Sequence, residues 1–247
     1  MSRGRTPVVL VHGMRASRTM WRAQVDALTG AGYEALAVDL PGHGRRLDER
    51  FTLDGAVGAI ADGVEAVGGR ALVVGLSLGG YTAVAHAARR PDQVAGLVAA
   101  ACSSVPRPAV VRAWGLAADQ LFARLPDRGA ALNQALVDRT LPPAGATDVG
   151  AGGFALGVVG DTMRAMRDAT PLVDLARVEV PVWLVNGRYD HFRGDERRFL
   201  AACRDGRLVV VPGATHLVSL VRPVRFTRVL LEALAELDAA PRARDGR

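Results

Sequence analysis

Residues 70–90 constrain this chain more than any other stretch. Positions 71–74 are a short apolar run with two valines, which suits a strand buried on both faces. Gly75-Leu76-Ser77-Leu78-Gly79-Gly80 follows, and then the alanine-rich stretch 81–90, which reads as a helix ending before Pro91. A serine between a buried strand and a helix, with glycine two before and two after, has a mechanical reading. The turn is so tight that side chains at the flanking positions would meet backbone. It pushes the hydroxyl of Ser77 out at the top of a sheet, and the following helix offers free N–H groups to an anion. Six serines and 28 glycines in 247 residues give about 0.08 chance matches to the glycine–serine–glycine spacing. The flanking strand and helix, more than the pentapeptide, carry the signal.

The length allows a sizeable core, and 49% hydrophobic with 23% charged residues is an ordinary globular composition. A formal charge of +6 raises the question of a nucleic-acid partner. The chain has no lysine and a single isoleucine, Ile60, so its arginine content reflects coding bias. Those arginines are scattered, without a recognition motif or an aromatic platform, so no nucleic-acid partner is expected. Cys102 and Cys203 read as reduced thiols. The apolar run 8–11 is too brief for a signal peptide or a membrane span, so no membrane partner is expected and the cytoplasm is the default compartment.

Taken in order, 7–11 reads as a strand, 18–28 as a helix, 33–38 as a strand, 53–67 as a helix, and 94–100 as a fourth strand after the serine helix. This alternation predicts an α/β fold, a doubly wound, mostly parallel sheet with helices on both faces. In such sheets chemistry sits at the carboxyl ends of strands, where His12, Asp39 and Ser77 all fall. The alternation then stops. Residues 106–170 hold no convincing strand: 110–125 and 128–137 look helical, 142–160 is a loose stretch rich in Gly, Ala and Pro, and 161–168 is a short helix. A helical cap over 105–170 is expected, inserted in a core made of 1–104 and 171–247. Strands at 180–185 and 208–211 bring the sheet to about six, 223–237 closes the fold as a helix, and 239–247 is a frayed tail.

A serine hydroxyl needs a base to take its proton and a third group to orient that base. His216 follows the last strand, in Pro212-Gly213-Ala214-Thr215-His216, a turn that aims it back over the sheet. It is the expected base, with His43, in the loop after the second strand, as its rival. His86 is expected on the surface of the serine helix, and His191 directly follows Asp190. The orienting carboxylate is expected at Asp190, after the strand at 180–185. The other location, after the fourth strand, offers no Asp or Glu between Asp92 and Asp119. Asp195 reads better as a helix N-cap or first-turn acid.

With these residues the chain resembles the α/β-hydrolase family. Gly75-Leu76-Ser77-Leu78-Gly79, Asp190 and His216 stand in that family's order of nucleophile, acid and base. His12-Gly13, Asp39-Leu40-Pro41-Gly42-His43-Gly44 and Gly213-Ala214-Thr215-His216 match it too. The resemblance implies an oxyanion hole made of the main-chain N–H groups of Met14 and Leu78. Many family members begin with extra antiparallel strands; here residue 7 opens directly on the His12 strand, so a shortened sheet is expected. Family members that open epoxides or displace halide carry Asp where Ser77 stands.

The expected function is a serine hydrolase acting on a small-molecule carboxylic ester or related acyl compound, with no metal or organic cofactor. Two alternatives share the fold: cleavage of carbon–carbon bonds beside a carbonyl, and ligand binding or reception with little turnover. Leu116, Phe122, Phe154, Met163 and Met166 are apolar residues of the expected cap, more often cap core than pocket lining.

Overall fold

Six short apolar strands, β1 (Val8–Val11), β2 (Ala35–Val38), β3 (Ala71–Leu76), β4 (Val94–Ala100), β5 (Val182–Gly187) and β6 (Gly206–Val211), form one sheet in the computed structural model. Residues 4–109, 111–113, 124 and 126–240 are described. The order is β2-β1-β3-β4-β5-β6, and every pairing is parallel. The winding direction reverses between β1 and β3. That reversal opens a crevice at the carboxyl ends of those two strands. Val11 pairs with Gly75 there, so the loop after β1 and the turn after β3 start side by side.

Alternation along the strands sorts the core into two layers. Val9, Val11, Val73, Leu97, Ala99 and Leu184 face one layer. It is covered by α2 (Leu53–Ala66) through Ile60 and Val64, by α3 (Leu78–Arg89) through Val84 and Ala87, by α7 (Pro171–Arg177) through Leu175, and by α8 (Glu196–Ala202) through Phe199. Val8, Leu10, Leu72, Val74, Leu76 and Trp183 face the other. That layer is closed by α1 (Arg22–Gly30) through Leu28 and by α9 (Pro223–Ala239) through Phe226, Leu230 and Leu234. The continuous apolar runs follow from helices on both faces, since neither side of β1 or β3 meets water.

Between β4 and β5 the described chain is helical, with α4 (Ala130–Thr140), α5 (Pro143–Ala151), a 3-10 turn (Leu156–Val158) and α6 (Val159–Arg167). The loose stretch expected over 142–160 is therefore a correction. Pro143 opens α5 at its first turn, where a fixed φ favours a helix and the missing N–H costs nothing. The small residues that argue against a helix in isolation serve close packing. A side chain at Gly145 would touch Leu220, and one at Gly152 would run into Ser17 and Thr19. The Thr19 hydroxyl donates to the Asp148 carbonyl at 2.6 Å, tying α5 to the 3-10 turn Arg18–Trp21.

The helix expected over 110–125, with Leu116 and Phe122, lies almost wholly outside the described residues, as does the tail beyond 240. Met166 is buried in the first layer, and Phe154 packs against the second. Both cysteines are free. Among the described residues no helix is long and apolar enough to cross a membrane.

Candidate active site

The turn from β3 into α3 forces Ser77 to φ 56° and ψ −116°, a conformation that costs a non-glycine residue on the order of 1–3 kcal/mol. The neighbours hold it there. A Cβ on Gly75 would lie 2.7 Å from the Gly80 nitrogen and closer still to the Gly79 carbonyl. One on Gly79 would lie 2.6 Å from the His12 carbonyl oxygen and closer still to that of Val11. The glycines thus let α3 begin at once, at Leu78 rather than at the expected position 81. The Ser77 N–H donates to the Ala100 carbonyl at 2.8 Å and anchors the turn to β4.

Two loops bring the partners. Asp190 follows β5, and His216 follows β6 after the turn 212–215. The loops are zipped together: Arg188 N–H donates to the Val211 carbonyl at 3.0 Å, and Tyr189 N–H to that of Ala214 at 2.9 Å. His216 Nε2 lies 3.0 Å from Ser77 Oγ, and Nδ1 lies 3.0 Å from Asp190 Oδ1. A carboxylate can only accept, so Nδ1 carries the proton and Nε2 is left as a lone pair facing the serine hydroxyl. Asp190 Oδ1 also accepts from the Phe192 N–H at 2.8 Å. Burial works to raise the pKa of Asp190, but the hydrogen bond and charge of His216 and the Phe192 N–H outweigh it and hold the carboxyl below its usual range. His191 and Phe192 flank His216, with ring centroids 5.0 and 4.9 Å from its own.

Met14 and Leu78, whose main-chain N–H groups are the donors expected for an oxyanion, both lie next to Ser77 or to a residue that touches it. Leu78 opens α3, so its N–H has no partner within the helix. Met14 lies in the loop after β1, which Gly13 presses against the turn: a Cβ there would sit 3.6 Å from Ser77 Cβ. Among the described residues neither N–H has a protein acceptor.

His43 does not reach the serine. Its Nδ1 donates to the Pro41 carbonyl at 2.9 Å, and its Nε2 accepts from the Arg15 N–H at 3.2 Å. Burial, with His12 adding to it, pushes its pKa down to about 3, so the ring is a neutral strut under the loop that carries Met14. His12 does the same from the strand end. Its Nδ1 donates to the Gly13 carbonyl at 2.8 Å, and its Nε2 accepts from Leu40 N–H at 3.0 Å. Asp39 accepts from the N–H groups of Arg18 at 2.7 Å and Arg45 at 3.1 Å, and pairs with the Arg18 guanidinium. The Asp39–Gly44 motif is therefore a scaffold for the loop beside Ser77.

His86 is a correction: it is fully buried rather than on the helix surface, because α3 is enclosed on all sides from Leu78 to Ala87. Asp195 occupies the N-cap position of α8 as expected, yet its carboxylate serves elsewhere, accepting from the Val105 N–H at 2.9 Å and from Arg198 at 3.0 Å. One set of residues had no sequence reading. Buried Asn186 donates to Ser103 Oγ and to Glu196 Oε2, both at 3.1 Å, and Glu196 holds Arg193, which donates to the Arg188 carbonyl at 2.9 Å. The network brackets the Asp190 loop. Its one sequence signal is an asparagine ending the apolar run of β5.

A cleft of about 570 Å³ lies beside this scaffold, lined by Gly42, Leu47, Phe51, Phe154, Leu156 and Val158 among others. It does not include Ser77, but it adjoins the Met14 loop, since Ala155 N–H donates to the Arg15 carbonyl at 3.2 Å. For a metal, the described residues offer one cluster, Asp190, His191 and His216, with ligand atoms within 4.8 Å of one another.

The sheet order, the turn at Ser77 and the meeting of three loops define a class of protein, and the chain belongs to the alpha/beta hydrolase family, whose model matches residues 8–229. Among proteins of assigned activity, it is 38% identical over 96 residues to epoxide hydrolase B of Mycobacterium tuberculosis, covering 37% of this chain and 27% of that one. It is 42% identical over 91 residues to the pimeloyl-[acyl-carrier protein] methyl ester esterase of Neisseria meningitidis serogroup B, covering 36% and 34%. The matches thus span about a third or less of those relatives' length. A thermophilic esterase from Thermogutta terrifontis superposes with a TM-score of 0.78 over 96% of this chain and 92% of its own, at 22% identity, a likeness of fold.

Proposed function

We propose that the chain is a serine hydrolase that cleaves a carboxylic ester or related acyl compound through an acyl-enzyme. The observation that carries this reading is the unbroken line from Asp190 to His216 to Ser77, 3.0 Å at each link. Ser77 attacks the acyl carbonyl as His216 Nε2 takes its proton. Asp190 keeps the imidazole in the tautomer that can do so and faces the imidazolium that forms. The N–H groups of Leu78 and Met14 receive the oxyanion, a contribution of about 10²–10³ in rate per donor. His216 returns the proton to the leaving group, and water repeats the sequence on the acyl-enzyme.

The relatives support hydrolysis but differ in bond. A serine at position 77, where epoxide-opening members of the family carry Asp, favours acyl transfer over epoxide opening. The segment 105–170 is proposed as the cap that selects the substrate, with the cleft beside Phe154 as its approach. A fluorophosphonate probe followed by mass spectrometry tests the reading: Ser77 should be labelled in folded protein. p-Nitrophenyl esters of graded chain length, run beside a diketone panel, should be turned over while the diketones are not. An unlabelled Ser77 would refute the proposal.

A further inference from the structure

His191 has no part in the line from Asp190 to Ser77, yet it stands against it. It follows Asp190 directly, its side chain is 71% exposed, and its Nδ1 lies 3.9 Å from Asp190 Oδ1. His216 Nδ1 lies 3.0 Å from that same oxygen. Asp190 Oδ2 is buried and has no hydrogen-bond partner among the described residues.

Two imidazoles and a carboxylate suit zinc, nickel or copper, and not magnesium or calcium, which take oxygen donors. Zinc binds such donors at about 2.0–2.2 Å, which places ligand atoms of a tetrahedral site about 3.4 Å apart. The separations of 3.0 and 3.9 Å bracket that value. The remaining span, up to 4.8 Å, exceeds that value, and the exposed His191 side chain is the ligand with room to shorten it.

We propose that Asp190, His191 and His216 form a binding site for a divalent transition-metal ion such as zinc, and that the ion silences Ser77. The silencing rests on the acyl-enzyme reading, whereas the metal site does not. A metal on His216 Nδ1 uses the electron pair of that nitrogen. The neutral ring has one proton, held on Nδ1 toward Asp190, and the ion moves it to Nε2. The Nδ1–H bond breaks, an Nε2–H bond forms, and no proton is gained or lost overall. The hydrogen bond to Asp190 becomes a metal bridge. Nε2–H then faces Ser77 Oγ with a donor where the reaction needs an acceptor. The site is thus inhibitory, and its fourth position is left to water.

Zinc titration calorimetry on the whole chain tests the site without reference to turnover. Wild type and Ser77→Ala should each bind one zinc per chain. His191→Phe keeps a ring against Phe192 and His216 but cannot ligate, and it should bind about tenfold or more weakly, as should His191→Ala. Magnesium should not bind. Zinc should also block fluorophosphonate labelling of Ser77 in wild type, reversibly with a chelator, and to a much smaller degree in the His191 variants measured against their own zinc-free labelling. Wild type that binds no zinc, or His191→Phe that binds it as tightly as wild type, overturns the site. Zinc bound at the site with undiminished labelling overturns the silencing. Zinc binding in a protein whose Ser77 never labels would leave the site standing and remove the hydrolase reading.

Discussion

Gly79→Ala tests how the elbow is built. The added Cβ would lie 2.6 Å from the His12 carbonyl oxygen and nearer still to that of Val11, where ordinary contacts begin at 3.4 Å. Backbone must therefore give by about 0.8 Å or more. The strand end that gives is the one that runs into the Met14 loop. Overpacking of this kind costs about 1–3 kcal/mol. For a chain of this size that lowers Tm by about 2–12 °C. A displacement near 1 Å at the reacting groups should also cut kcat about 10²-fold. The same substitution at Gly58 is the control. It sits inside α2 with nothing within 4 Å of its Cβ, so Gly58→Ala should stabilise by about 0.5–1 kcal/mol. Thermal unfolding and p-nitrophenyl ester hydrolysis read both. A Gly79→Ala protein with wild-type Tm and kcat would refute the claim that glycine is there to let the helix meet the strand end.

Other expectations follow from the same geometry. Ser77→Ala should lose ester hydrolysis by about 10⁴-fold or more while circular dichroism stays unchanged. Asp190→Asn should lower kcat about 10⁴-fold, because an amide can hold the wrong imidazole tautomer; a loss below tenfold would argue that another group orients His216. Burial lowers the pKa of His86 to about 4 and of His43 to about 3, from 6.5. The unfolded chain binds these protons below pH 6.5 and the folded one does not, so stability should fall as pH drops from 6.5 toward 4. His86→Leu should flatten that fall by about 3 kcal/mol, read by denaturant unfolding across the window.

The sheet was legible because each strand is an apolar run closed by a turn, and helices on both faces leave no alternation to misread. Ser77, Asp190 and His216 were legible because each follows a strand, and strand ends share one edge. His43 was not, since its acceptor role depends on an Arg15 N–H 28 residues away that no local pattern encodes. His86 was misread because a histidine in an alanine-rich helix looks like the wet face, and α3 has no wet face from Leu78 to Ala87. The stretch 142–160 was misread because its glycines weigh against a helix until the surfaces they fit, Leu220, Ser17 and Thr19, are in place.

The backbone twist at residue 77 has an evolutionary corollary. A chain that no longer needed its nucleophile would gain by exchanging that serine for glycine, which takes such a dihedral freely. On the proposed acyl-enzyme reading, retirement from chemistry would leave this protein sturdier, so a side chain kept at that spot sets stability against the reaction.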